Sequence, residues 1–368
     1  MTDQCNRPSV RRFLMLSMRV NIISLMRMRG TIQKLLPLIL FFTCTIETAL
    51  AEATNMKIMM DWVIGSTHAP FFIARDKGYF KANGINVEAI DAGKGATNVA
   101  VSVAGGAYQF GWVDLPSMIR FNAQNPASQL IAVYMSFDET PSCIVTLQSS
   151  GIRTPKDLDG KRLAGGPGTA IHDTISVLLQ AAGAQDARIT WVAVSPQLFA
   201  PMLKRGEVDG IGAFDNAQVP ALIGLGFKRE EIGVIKYSDF GADLYGLALV
   251  TMKKFADENP NTVTGVVNAL NRGTKDAVAN PEAALDLMTK LDPMMNSDVE
   301  RVRLEIALGH TKTRYTAAHG LSSVTPERLK KTIDSIVSAY KLPASPAPGS
   351  VFTDKFLPSL PERMPPKN

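Results

Sequence analysis

The sequence predicts an α/β protein of two lobes, each a sheet flanked by helices, with the chain crossing between them twice. Three observations carry this. Strand-like and helix-like segments alternate from residue 57 to about 134, the pattern of a largely parallel sheet with crossover helices. A second alternating block fills 154–236. The chain then returns with an apolar strand and ends in helices, so the second block reads as an insertion between two parts of the first lobe.

In the first lobe, apolar or β-branched runs predict strands at 57–61, 86–90, 108–112 and 129–134, with helices at 70–82, 96–104 and 115–123 between them. Lys77-Gly78 marks an end for the helix that opens at Pro70, although the pattern runs on to Ala82. A strand at 143–147 enters the second lobe. Its further strands are expected at 162–164, 188–192, 210–213 and 233–235, and its helices at 170–182, 196–204 and 216–225. A strand at 247–252 returns, followed by helices at 261–278, 281–290, 297–308 and 326–340. The division expected is 54–142 plus 245–341 for lobe 1 and 143–244 for lobe 2. Crossings near Pro141–Cys143 and Gly241–Tyr245 put a ligand in the cleft between them. Residues 342–368 hold seven prolines and read as an irregular surface tail.

The first 51 residues read as a signal peptide. Met28 to Lys34 is basic, Leu35 to Ile46 is apolar, and Ala49-Leu50-Ala51 supplies a small-residue cleavage site. The apolar run is shorter than the ~20 residues that span a bilayer. Residues 1–27 precede an ordinary signal, which points to a start at Met26 or Met28. Of 39 basic and 34 acidic residues, seven and two lie in 1–51, so the remainder is neutral. The basic pI belongs to the leader, and nucleic-acid binding, which needs a basic patch on the folded part, finds no support. Cys143 is the one cysteine left after cleavage. Beside Ile144, Val145 and Leu147 it reads as a buried strand residue.

The most informative stretch is Asp61-Trp62 followed by His68-Ala69-Pro70 and, further on, Lys77-Gly78-Tyr79-Phe80. It is strand, loop, helix, the place where open α/β sheets bind ligands. Trp62 can stack on a flat ligand. His68 can bond ligand or cap the helix at Pro70. Gly165-Gly166-Pro167-Gly168-Thr169 is the matching turn of the second lobe, where Gly166 and Gly168 permit close backbone approach and Thr169 can cap a helix or touch ligand. In the first lobe, Asp91 to Thr97 opens a helix, with contact expected through Thr97 or backbone. Neither loop carries the Gly-Lys-Ser/Thr of a phosphate loop. Trp112, near the end of the third strand, offers a second stacking wall or core packing. Asp215 ends a strand of the second lobe, and Tyr245 lies where the chain re-crosses. His172, His310 and His319 are scattered without metal-ligand spacing, so no metal is expected. No Ser-His-Asp or Cys-His set stands out.

From Asp61 to Val87 the string resembles the opening of the NMT1/THI5-like group of periplasmic solute-binding proteins, and a looser likeness continues to about residue 340. The resemblance implies the type II periplasmic binding-protein fold, an ABC permease and ATPase as partners, a monomer, no cofactor and a periplasmic site of action. It implies a thiamine-pyrimidine precursor or related heterocycle as ligand, with alkanesulfonate, taurine or nitrate as the alternative. In the thiamine-precursor branch an acid accepts hydrogen bonds from the amino-pyrimidine, usually as Glu, and Asp215 matches it while also suited to cap the following helix. No arginine stands obviously at a strand end to hold an anion, since Arg75 and Arg162 read as surface. One branch of the family is a pyrimidine synthase that uses lysine, histidine and a cysteine-rich run. Here Val113, Ser117 and Gly241 to Gly246 stand at those positions, which favours binding over catalysis.

Overall fold

The computed structural model describes residues 54–367. The leader and its expected start lie outside the described residues. Among those described, no helix is long and apolar enough to cross a membrane.

Two five-stranded sheets form the framework. The first has the order β2-β1-β3-β10-β4, with β1 at Thr54–Met59, β2 at Ile85–Asp91, β3 at Phe110–Asp114, β4 at Leu130–Met135 and β10 at Leu247–Met252. The second has the order β7-β6-β8-β5-β9, with β5 at Ser142–Leu147, β6 at Arg162–Ala164, β7 at Thr190–Val192, β8 at Gly210–Phe214 and β9 at Ile232–Lys236. Each sheet has three parallel strands at one side and one reversed strand next to them: β10 runs antiparallel to β3 and β4, and β5 antiparallel to β8 and β9. The reversed strand is in both cases the first one laid down after the chain crosses over. The expected α/β class with two lobes and two crossings is therefore the architecture found.

Burial explains the composition of the strands. β3 and β4 are buried along their whole length, because helices cover both faces of the sheet. On one face Phe71, Phe72, Val266 and Leu270 pack with Phe110 and Trp112. On the other, Val99, Met118 and Ile333 pack with Val113 and Val250. The second lobe has its own cluster, which includes Cys143, Val145, Phe199, Leu203 and Val219. Cys143 is buried in β5, as its neighbours predict, and burial pushes its thiol well above the ordinary range.

The helix expected over 70–82 is two pieces, Ala69–Asp76 and Tyr79–Ala82. Gly78 between them has φ +69°, a conformation that ends a helix and favours glycine. The tail beyond 342 is docked. Phe352 pairs with Ala132 beside β4, and Val351, Phe352 and Phe356 are buried. The backbone carbonyl of Glu362 accepts from Asn271 and Lys275. Proline rules out regular strands there but not a packed, irregular path.

Two crossings join the sheets, and one arginine holds both. Arg328 reaches Asp138 on the outward crossing at 2.7 Å and Asp243 on the return at 2.8 Å. Tyr245 belongs to this clamp. It is fully buried, the Arg328 guanidinium lies 4.3 Å from its ring centroid, and its hydroxyl accepts from the Thr325 amide at 2.9 Å. Tyr245 therefore does not line the cleft: the return crossing turns it under the hinge, where it packs.

Candidate functional site

The cavity lies beyond the C-terminal ends of the central strands of both sheets, where the switch-point rule for α/β folds places ligands. Its volume is about 60 Å³, smaller than the 150 Å³ cavity that admits benzene. The first lobe supplies Asp61, Trp62 and His68 just after β1, Gly95 and Ala96 at a helix start, and Asp114 at the end of β3. The second supplies Thr169, Ala170 and Ile171 after β6, Phe199, and at the end of β8 the residues Gly212 to Phe214 and Asn216 to Gln218, without Asp215. Arg303, on the helix Ser297–Thr311, closes one side.

Asp61, Trp62 and His68 come together as a unit. The Gly65 amide donates to His68 Nδ1 at 3.2 Å, which places the ring proton on Nε2, and Nε2 donates to Asp61 Oδ1 at 3.0 Å. His68 thus serves the site wall, and its side chain makes no cap bond to the helix Ala69–Asp76. Trp62 is half-buried and packs against the apolar cluster of the opposite lobe.

Trp112 is placed behind this wall. It is 2% exposed and packed edge-on against His68, Phe71 and Phe137 at centroid separations of 5.2, 5.7 and 5.3 Å. It sits two residues inside the strand end, so it supports His68 and is not itself on the cavity wall. The residue that does reach the wall is Asp114, which the sequence reading passed over in favour of the tryptophan. Asp114 Oδ2 accepts from the Ser117 amide at 3.0 Å, an N-cap for the helix Leu115–Gln124. Burial, and to a lesser degree the Asp173 and Asp61 charges, push its carboxyl up to about 7, against the pull of the Ser117 amide.

Asp215 is not on the wall either. Its Oδ1 accepts from His310 Nε2 at 2.8 Å and from the Asn216 amide at 2.7 Å, and Lys236 lies 3.7 Å from Oδ2. The helix begins at Asp215 itself, capped by Phe214, so the acid is one turn-position too deep to face the cavity. Its neighbours Phe214, Asn216 and Gln218 face it instead. Thr169 lines the cavity, with its hydroxyl donating to the Gly166 carbonyl at 2.8 Å rather than capping the helix Ala170–Ala181. Gly166 packs toward Ala193, outside the cavity wall.

Thr97 and Gly168 belong to the line where the lobes meet. A methyl group on Gly95 would lie 2.8 Å from the Gly168 carbonyl oxygen, so glycine at 95, with φ +107°, is what lets the two backbones touch. Thr97 Oγ1 donates to Asp173 Oδ2 at 3.3 Å across this line. Asn216 Nδ2 donates to Thr67 Oγ1 at 3.0 Å. The lobes are in the closed arrangement.

Arg303 is the cavity-lining arginine that the sequence did not reveal. Its signal lies some ninety residues downstream of β8, in a helix with no local motif. Its Nε donates to Glu300 Oε1 at 3.0 Å and its Nη1 to the Asn216 carbonyl at 3.1 Å. Among the described residues no group of three His, Cys, Asp or Glu side chains is arranged to hold a metal.

The family model described as NMT1/THI5 like matches residues 66–284. A formylaminopyrimidine-binding protein of Halalkalibacterium halodurans is 24% identical over 289 residues, covering 75% of this chain and 84% of that one. A riboflavin-binding protein, RibY, of Chloroflexus aurantiacus is 25% identical over 319 residues, covering 83% and 86%. A 4-amino-5-hydroxymethyl-2-methylpyrimidine phosphate synthase of Legionella pneumophila is 22% identical over 247 residues, covering 66% and 76%. Among solved structures, the alkanesulfonate-binding protein SsuA of Xanthomonas axonopodis pv. citri, bound to MOPS, superposes with a TM-score of 0.64 at 15% identity, covering 82% of this chain and 99% of that one. At that identity the likeness shows the periplasmic binding-protein fold.

Proposed function

The chain belongs to the NMT1/THI5-like family, and we propose that it is the exported solute-binding protein of an ABC importer, closing around a small flat heterocycle of the pyrimidine-type thiamine-precursor class. The observation that carries this reading is Trp62. Its ring leaves the end of β1 half-buried beside the cavity and meets the apolar side of the opposite lobe, so a planar ligand held on it is touched by both lobes only when they close. The relatives named for formylaminopyrimidine and riboflavin bind flat nitrogen heterocycles. A monomer in the periplasm, delivering to a membrane permease with a cytoplasmic ATPase, completes the reading.

Arg303 favours a second reading, an alkanesulfonate, taurine or nitrate binder. Its charge is balanced by Glu300, and the carboxyl groups of Asp61 and Asp114 share the wall, so an anion gains little there. Against the synthase reading, Val113 is in the core and Ser117 is buried at a helix start, where the enzyme branch carries its lysine and histidine. Calorimetric titration tests the choice. Trp62→Ala weakens an amino-pyrimidine by about 1–3 kcal/mol, by analogy with base–aromatic stacking. An unchanged dissociation constant removes the stacking role.

A further inference from the structure

Three residues that line the cavity each carry a buried oxygen with no hydrogen-bond partner among the described residues. The oxygens are Asp114 Oδ1 on the first lobe and Asn216 Oδ1 and Gln218 Oε1 on the second. The three residues are 3%, 5% and 5% exposed. Native proteins leave few buried acceptors bare, and three on one cavity is a set rather than a scatter. Two of the three side chains are fixed by their other polar atom. Asp114 Oδ2 is held by the Ser117 amide, and Asn216 Nδ2 by the Thr67 hydroxyl. The bare oxygens of Asp114 and Asn216 are therefore held in set positions.

We infer that Asp114, Asn216 and Gln218 select the ligand by its hydrogen-bond donors: an amino-substituted ring whose N–H groups meet Asp114 on one lobe and the two amide oxygens on the other. This rests on the heterocycle reading above and narrows it. A ring without donors buries all three oxygens unpaired. A sulfonate or nitrate offers only acceptors and brings negative charge toward Asp114. A site built to bond a polar group rejects the analogue that lacks it far more strongly than an apolar pocket rejects a misfit. Asp114 is thereby a specificity-determining residue, and the helix cap it provides through Oδ2 leaves Oδ1 free for that role.

The test is calorimetric titration of the protein with 4-amino-2-methylpyrimidine and with 2,4-dimethylpyrimidine, in which a methyl group replaces the amino group. Wild type is expected to favour the amino compound by at least about 100-fold. Asp114→Asn, which keeps a cap-forming oxygen, is expected to lose at least about tenfold for the amino compound and to leave the dimethyl compound within about twofold. Gln218→Leu gives an independent loss of the same sign, and thermal melts verify that both variants fold. Equal affinity for the two pyrimidines, or no effect of Asp114→Asn while Trp62→Ala still weakens both, overturns the inference and leaves the stacking cleft standing. Binding of taurine with neither pyrimidine bound overturns both.

Discussion

Arg120 and Asp173 join the two lobes: Nη1 of the arginine lies 2.8 Å from Oδ1 of the aspartate. The arginine is on the helix after β3 and the aspartate on the helix after β6. Thr97 and His172 contact the same carboxylate, at 3.3 and 3.1 Å. Opening the cleft breaks the pair and returns a nearly buried carboxylate to water. Arg120→Ala should shift the population toward the open form by about 1.5–3 kcal/mol, the range for hydrogen bonds to charged groups. Small-angle scattering would show a larger radius of gyration, and stopped-flow a faster ligand release.

Gly95→Ala should act at the same boundary by sterics alone. The added methyl meets the Gly168 carbonyl at 2.8 Å and sits on a backbone of φ +107°. The variant should lose ligand affinity by tenfold or more, because the closed contact cannot form. A fluorescence pair placed across the cleft would report the widened distance, and an unchanged closed distance would count against this account of closure.

Hinge and cleft should separate under mutation. Arg328→Met leaves Asp138, which is 3% exposed, buried without its cation. The expected loss of stability in urea is about 3–5 kcal/mol. Arg328→Lys should recover only part, since one ammonium cannot span both Asp138 and Asp243.

Asp114 sets a pH signature. Its carboxyl is raised from 3.8 to about 7, so the folded protein holds that proton more tightly than the unfolded chain. Stability from this group is full below about pH 4 and is lost as pH rises through 7. The whole shift corresponds to roughly 4 kcal/mol at most. Across pH 4 to 8 the ligand-free melting temperature of wild type should therefore fall relative to Asp114→Asn, whose own profile lacks this group. Parallel profiles would mean that Asp114 is not buried as described.

Much of this architecture was readable in the residues, and the misses share a cause. Alternating apolar runs and turn residues marked both α/β blocks, because the period of burial is written locally. Asp61-Trp62 was readable for the same reason, since it directly follows a strand end. Trp112 and Asp215 were not placed correctly on chemistry alone. Each is one or two residues from a position that faces the cavity, and a strand does not announce where its last buried residue ends. Tyr245 lies where the chain re-crosses, yet it turns into the hinge. Arg303 comes from a helix distant in sequence, and only the closed chain brings it beside Asn216.

The central claim is a cleft that binds a flat nitrogen heterocycle. A thermal-melt screen of the purified protein against amino-pyrimidines, thiamine, taurine, alkanesulfonates and nitrate tests it most directly. Ligand at ~1,000 times its dissociation constant stabilises by about 4 kcal/mol, a shift of several degrees. The account predicts that shift with amino-pyrimidines. A shift with sulfonates or nitrate alone would contradict it.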